Sequence, residues 1–153
     1  MSAIEAMLGS QSFFYGMEPD HLATLAHVAS PVDYEPGDVI FREGGDADAC
    51  YLILEGDVGL EMMVPGRGPH VIQTLHAGEI LGWSWLFRPY RWVYDAQALT
   101  PTKAIRFDAP ALRRAKLEDC AFGYELMQRF TEVLASRMQA ARLQLLDLYG
   151  SHR

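Results

Sequence analysis

Ala49-Cys50-Tyr51-Leu52-Ile53-Leu54-Glu55-Gly56-Asp57-Val58-Gly59-Leu60-Glu61-Met62-Met63-Val64 sets two apolar runs on either side of Glu55-Gly56-Asp57. Both runs are rich in strand-forming side chains. The three residues between them combine two acids with a glycine, the composition of a tight reversal. The pattern predicts a hairpin.

Similar punctuation continues in both directions. Upstream, Glu35-Pro36-Gly37-Asp38 leads into the short strand Val39-Ile40-Phe41. Downstream, Pro65-Gly66-Arg67-Gly68-Pro69 makes a further hairpin loop, and a strand follows through Val71-Ile72-Gln73-Thr74-Leu75. His76-Ala77-Gly78-Glu79 turns the chain again. Asp95 to Leu99 and Lys103 to Phe107 are expected to pair around Pro101. Nine of the 13 glycines fall between Gly37 and Gly82, where turns need the positive φ that only glycine adopts freely. Turns at intervals of about eight to twelve residues indicate a closed all-β roll, not a parallel α/β sheet.

The flanks read as helix. Glu18-Pro19-Asp20 starts one, with Leu22, Leu25, Ala26 and Ala29 at helical spacing and Pro31 ending it. Asp108-Ala109-Pro110 starts a short one through Lys116. No proline follows Pro110, so a long helix from about Ala121 to Tyr149 is permitted, stopping at Gly150. Its stripe of Leu126, Phe130, Leu134, Met138, Ala141, Leu145 and Leu148 steps by four and three. At ~1.5 Å per residue this helix is about 40 Å long, more than a small roll can cover. A second copy of the same helix is the simplest partner, which predicts a homodimer. The expected organisation is residues 1–30 as N-terminal helices, 31–108 as the β-roll and 109–153 as C-terminal helices, in a single domain.

With 153 residues, half of them hydrophobic, the chain suffices for one core. No apolar run approaches the ~20 residues needed to span a bilayer, and the N-terminus lacks the pattern of a secretory signal. A cytoplasmic protein without a membrane partner is expected. Net charge is −7, unevenly spread: residues 1–82 carry 13 acids and 2 bases, residues 83–153 carry 7 acids and 11 bases. The acidic half repels phosphate backbones, so nucleic acid is not an expected partner of this chain by itself. The tight basic cluster Arg113-Arg114-x-Lys116 reads as a solvated helix face. Cys50 and Cys120 are far apart in sequence, lack metal-ligand spacing and read as buried apolar side chains. His21, His27, His70, His76 and His152 form no metal pattern, and no nucleophile–base arrangement stands out. No enzyme, cofactor or metal is expected.

Six aromatic residues crowd into twelve positions: Trp83, Trp85, Phe87, Tyr90, Trp92 and Tyr94, with Arg88 and Arg91 interleaved. Gly82-Trp83-Ser84-Trp85 follows a glycine turn and is suited to opening a short helix. Three readings stand at this point: core filling, a pocket for a small-molecule effector, and a docking lip for a protein partner. The candidate ligand contacts are Gly82, Trp83, Ser84, Trp85, Arg88, Arg91 and Trp92.

Tyr34-x-Pro36-Gly37-Asp38-Val39-Ile40-Phe41-Arg42-Glu43-Gly44, Tyr51-Leu52-Ile53-Leu54-Glu55-Gly56-x-Val58 and Gly78-Glu79-Ile80-Leu81-Gly82, in that order, closely resemble the cyclic nucleotide-binding domain of the catabolite-activator type. The resemblance covers nearly the whole chain. It implies an eight-stranded β-roll, a phosphate-binding cassette after Gly82 and a C-terminal helix that dimerises. In the family's transcription factors a helix-turn-helix follows, and here the sequence reaches Arg153 without one. The family's nucleotide binders place Glu directly after the glycine matching Gly82, where this chain has Trp83. They place a phosphate-neutralising Arg downstream, at the position that falls on Trp92, with Arg91 one residue off. A one-residue offset in a strand points a side chain to the opposite face. A charge-assisted hydrogen bond contributes about 1.5–3 kcal/mol, so losing both contacts disfavours cAMP and cGMP. The resemblance thus implies a regulatory, ligand-sensing domain, with a docking subunit or a nucleotide seated by Arg88 or Arg91 as alternatives.

Overall fold

The computed structural model describes residues 2–150. Met1 and residues 151–153, the last of the expected C-terminal segment and including His152, lie outside them. The chain divides into two compact units, one ending at Ala115 and the other starting at Lys116.

The first unit opens with α1 (Ala3–Gly9), a 3-10 turn (Ser12–Phe14) and α2 (Pro19–His27). Ser2 caps α1 by accepting from the Glu5 N–H at 3.2 Å. Pro19 starts α2, as expected of a residue with fixed φ and no N–H to satisfy. That helix ends at His27, not at Pro31. Ala29 and Pro31 belong instead to β1 (Ala29–Tyr34). Proline is tolerated there because β1 is an edge strand and needs no donor on its outer side.

The remaining strands are β2 (Val39–Phe41), β3 (Ala49–Glu55), β4 (Val58–Val64), β5 (Gly68–Leu75), β6 (Ile80–Leu81), β7 (Asp95–Ala98) and β8 (Thr102–Asp108). They form two antiparallel four-stranded sheets, ordered β1-β8-β3-β6 and β2-β7-β4-β5. The expected β-roll is therefore present. Two expected pairings are not. The turn at Glu55-Gly56-Asp57 exists, but β3 lies in one sheet and β4 in the other, so it is a crossing between sheets. Likewise β7 and β8 separate around Pro101, β7 pairing with β2 and β4, and β8 with β1 and β3. The hairpin across Pro65–Pro69 is as expected, with Val64 opposite Gly68.

Packing explains the sequence of β3. It is flanked by β8 and β6, and Ala49 through Ile53 are all buried, so it reads as an unbroken apolar run without alternation. Leu52, Ile53, Val58, Leu60, Leu75, Ala96, Ala98, Ile105 and Phe107 fill the core of the roll. Each large apolar side chain buried this way contributes about 1.5–3 kcal/mol before entropy is counted.

The second unit is dominated by α4 (Cys120–Gly150), preceded by the end of α3 (Ala109–Glu118). Asp119 caps α4 by accepting from the Phe122 N–H at 3.1 Å. Cys120 is exposed on its first turn, against the expectation of burial, whereas Cys50 in β3 is buried. The apolar stripe changes character along the helix. Leu126 and Phe130 are buried and Leu134 is half-buried, while Met138, Ala141, Leu145 and Leu148 are exposed. No helix among the described residues is long and apolar enough to cross a membrane.

Candidate functional site

The aromatic segment hangs between β6 and β7, and each of its ends is fixed by backbone. At the start, the Gly78 N–H donates to the Ile53 carbonyl at 2.7 Å and the Ile53 N–H to the Glu79 carbonyl at 3.0 Å. β6 then pairs Leu81 with Tyr51. Gly82 follows at φ 94°, the left-handed region that a side chain resists. Ser84–Leu86 forms one 3-10 turn, the short helix expected after the glycine.

Trp92 occupies the centre of the arrangement. Its ring lies flat on Phe41, with centroids 3.7 Å apart and planes 9° from parallel. A Cβ built on Gly82 would sit 2.8 Å from its Cη2, and one on Gly45 3.7 Å from its Cδ1. The indole thus spans the distance between two glycines, and only glycine at position 82 admits it. Tyr51 and Tyr94 approach the Phe41 ring at 6.5 and 5.8 Å. Trp92 is 3 % exposed. Its backbone is tied both ways: its N–H donates to the Gly45 carbonyl at 3.0 Å, and its carbonyl accepts from Gly44 at 2.8 Å.

The other candidates separate around it. Trp83 is half-buried and meets Phe87 and Tyr94 edge-on, each at 6.4 Å. Trp85 is fully buried. Ser84 is 5 % exposed, and its Oγ has no hydrogen-bond partner among the described residues. Arg88 is exposed. Arg91 is exposed too, and its Nη1 lies 2.8 Å from Asp46 Oδ1 and 3.3 Å from the Gly44 carbonyl. The structure therefore brings Gly82 and Trp92 together and leaves the two arginines at the lip.

Arg113 was expected on a solvated face. Instead it is half-buried: Nη1 donates to the Trp85 carbonyl at 2.9 Å, and the guanidinium lies 4.3 Å over the Tyr90 ring. Arg114 alone of that cluster is exposed, and Lys116 Nζ rests 3.6 Å from Met127 Sδ. The Arg113 contact steadies Tyr90, which adopts φ 57° and whose carbonyl accepts from Ala47 at 2.8 Å. Nothing in the spacing of Arg113 marks it for this role. Phe41 was legible as a strand residue, but its stacking on Trp92 was not.

Burial pushes the Cys50 thiol and the Tyr51 phenol far above their ordinary values, so both stay protonated near neutrality. Among the described residues no group of three or more His, Cys, Asp or Glu is placed to hold a metal.

Comparison with known proteins agrees with this fold. Residues 31–119 match the cyclic nucleotide-binding domain family. The chain is 27% identical over 145 residues to the "CRP-like cAMP-activated global transcriptional regulator" of Mycobacterium tuberculosis, covering 95% of this chain and 63% of that protein. The chain thus spans under two-thirds of that relative's length. A crystal structure described as a cyclic nucleotide-binding protein from Geobacter metallireducens superposes with a TM-score of 0.80 at 26% identity, over 90% of this chain and 99% of that one. A cyclic nucleotide-binding domain from Methylobacillus flagellatus gives 0.79 at 20% identity, over 94% and 80%, and shares the fold. A match spanning more than half of the sequence, on a roll of the same architecture, places this chain in the cyclic nucleotide-binding domain family.

Proposed function

We propose that this chain is a non-catalytic regulatory domain whose pocket is closed to ordinary cyclic nucleotides by its own Trp92. The observation that carries this reading is the indole stacked on Phe41 and pressed against Gly82. In the resemblance drawn above, Trp92 stands where nucleotide binders neutralise the cyclic phosphate, and Trp83 stands where they hold the ribose. An indole can do neither. Arg91, the nearest substitute in sequence, is engaged by Asp46 and the Gly44 carbonyl, and Arg88 is exposed. Buried phosphate without a cationic partner is strongly disfavoured.

Isothermal titration of the purified protein with cAMP and with cGMP tests this. No heat with either is the expected result. Micromolar binding would show that the aromatic cassette is an alternative nucleotide seat and would overturn the reading.

The regulatory output is proposed to run through pairing of α4 with a second copy. Met138, Leu145 and Leu148 are exposed at coiled-coil spacing, an apolar seam that costs free energy in water. Sedimentation at micromolar concentration should give a dimer, and a monomer would remove this part of the proposal. A second reading, protein docking at the lip, is favoured by the exposure of Phe87 and Val93. The domain is proposed to work in the cytoplasm, without membrane or nucleic-acid contacts of its own.

A further inference from the structure

We propose that the outer edge of β5 is a docking site for an extended, basic segment of a partner protein, which adds to the four-stranded sheet as a further strand. The proposal goes beyond the reading of the pocket and holds whatever fills it.

The two sheets end in four edge strands, β1, β6, β2 and β5. An edge offers unpaired N–H and C=O groups to another chain, and folded proteins blunt such edges with short strands, charge, proline or bulges. Three of the four are blunted in these ways. β6 has two residues and β2 has three. β1 carries Pro31 and Asp33. β5 is different. It runs for eight residues, Gly68–Leu75, and after Pro69 it reads His70-Val71-Ile72-Gln73-Thr74-Leu75, with no Asp, Glu, Lys or Arg. Its one irregularity is the register shift at Leu60/Glu61, which leaves Ile72 without a residue opposite it on β4.

That edge is open and bordered by apolar side chains. Among the described residues, no second strand and no loop backbone bonds to the outer side of β5. Val71 and Ile72 are 51 % and 47 % exposed. Met62 and Met63, opposite His70 and Pro69 on β4, are exposed beside them. Val, Ile and Thr favour extended backbone, and methionine adapts to varied neighbours. Main-chain groups with an apolar border are what a sheet needs to take up an added strand.

Charge decides the occupant. Residues 1–82 carry 13 acids and 2 bases. Near β5 stand Glu61, opposite Val71, and Asp57 and Glu79, both hydrogen-bonded to His76 just past the strand's end. Arg67 lies in the hairpin loop. A second copy brings the same acidic body and a net charge of −7, so like charge opposes pairing of β5 with itself. A segment alternating apolar residues with lysine or arginine complements both the apolar border and the acidic surroundings.

The test uses the full chain and, as the probe, a short capped peptide in which valine alternates with lysine and threonine. Its control is the same peptide methylated on two adjacent central amides, which spoils both of its edges and keeps its charge and side chains. Calorimetry should show the probe binding about ten-fold or more tighter than the control, the effect of losing two or more backbone hydrogen bonds. Hydrogen exchange should slow at residues 69–75 on binding and stay unchanged at residues 83–94. Ile72→Ser should weaken probe binding about three-fold or more, and Val71→Ser serves in its place should that variant fail to fold. Equal binding of probe and control means that charge alone attracts the peptide and overturns the inference, as does an absence of binding. Slowed exchange at residues 83–94 in place of 69–75 moves docking to the aromatic lip and overturns it too. Protection of residues 69–75 that rises with protein concentration, without peptide, assigns the edge to a second copy and overturns the choice of partner.

Discussion

Gly56 and Gly82 are the same residue in nearly the same conformation, at φ 98° and 94°, each ending a strand that pairs within the β1-β8-β3-β6 sheet. What stands where their Cβ would be differs. At Gly56 the Cβ would collide with backbone, the carbonyl of Pro101 and the Cα of Thr102. At Gly82 it would collide with a side chain, the indole of Trp92. The first turn is locked by chain that has nowhere to go. The second is locked by a side chain. A similar φ is thus fenced by backbone at one corner and by a side chain at the other.

The largest expected effect is at the rigid corner. Gly56→Ala combines a left-handed backbone with a collision against fixed atoms and should cost about 3 kcal/mol or more, read from urea denaturation. A loss below about 1 kcal/mol would mean that the two corners are equally yielding. Gly82→Ala should cost about 2 kcal/mol in the parent and about 1 kcal/mol in the Trp92→Ala background, where only the backbone strain remains. A double-mutant cycle that closes at zero would show that the indole is not the obstacle. Thr100→Val removes the hydroxyl that accepts from the Asp57 N–H at 2.9 Å and should cost about 1 kcal/mol, a measure of how far side chains reinforce the backbone lock.

The smallest effect is electrostatic and sits on the same turn. His76 Nδ1 lies 2.7 Å from Asp57 Oδ1, and the hydrogen bond to that carboxylate lifts the imidazole above its ordinary 6.5, with the charges of Asp57 and Glu79 adding to it. Protonated His76 is thereby favoured in the folded chain. Its contribution is complete below pH 6.5 and fades as pH rises through the raised value. The pair is exposed and weak. Asp57→Asn should lower the His76 midpoint in an NMR titration and flatten the dependence of the urea midpoint over that pH range.

The two corners also mark how much of the molecule could be read in advance. Turn positions were legible because glycine and proline state them locally: Gly37, Gly56, Gly78 and Gly82 all adopt positive φ. The β-roll, the flanking helices and the family resemblance followed from that punctuation. Strand partners were not legible at Gly56 or Pro101, because apolar runs around a tight turn look alike whether the chain folds back or crosses to the other sheet. Pro31 misled for a related reason, since an edge strand tolerates a residue that ends a helix. At the site, Trp92 was marked by its place in the motif order. The Phe41 stack and the Arg113 contact join residues distant in sequence, and only the closed roll brings them together.

Pairing of β1 with β8 places Ala29 opposite Phe107 and Tyr34 opposite Thr102, while β2 pairs with β7. On a ribosome, the first two strands therefore emerge long before the strands that will receive them. Until β7 ends at Ala98, β2 lacks its partner strand, and until β8 ends at Asp108, β1 lacks its own. Such long-range closure places the roll among slower-folding β proteins, with refolding expected on about the millisecond-to-second scale. It also makes the helices α1 and α2, whose contacts are local, the natural early structure of the nascent chain.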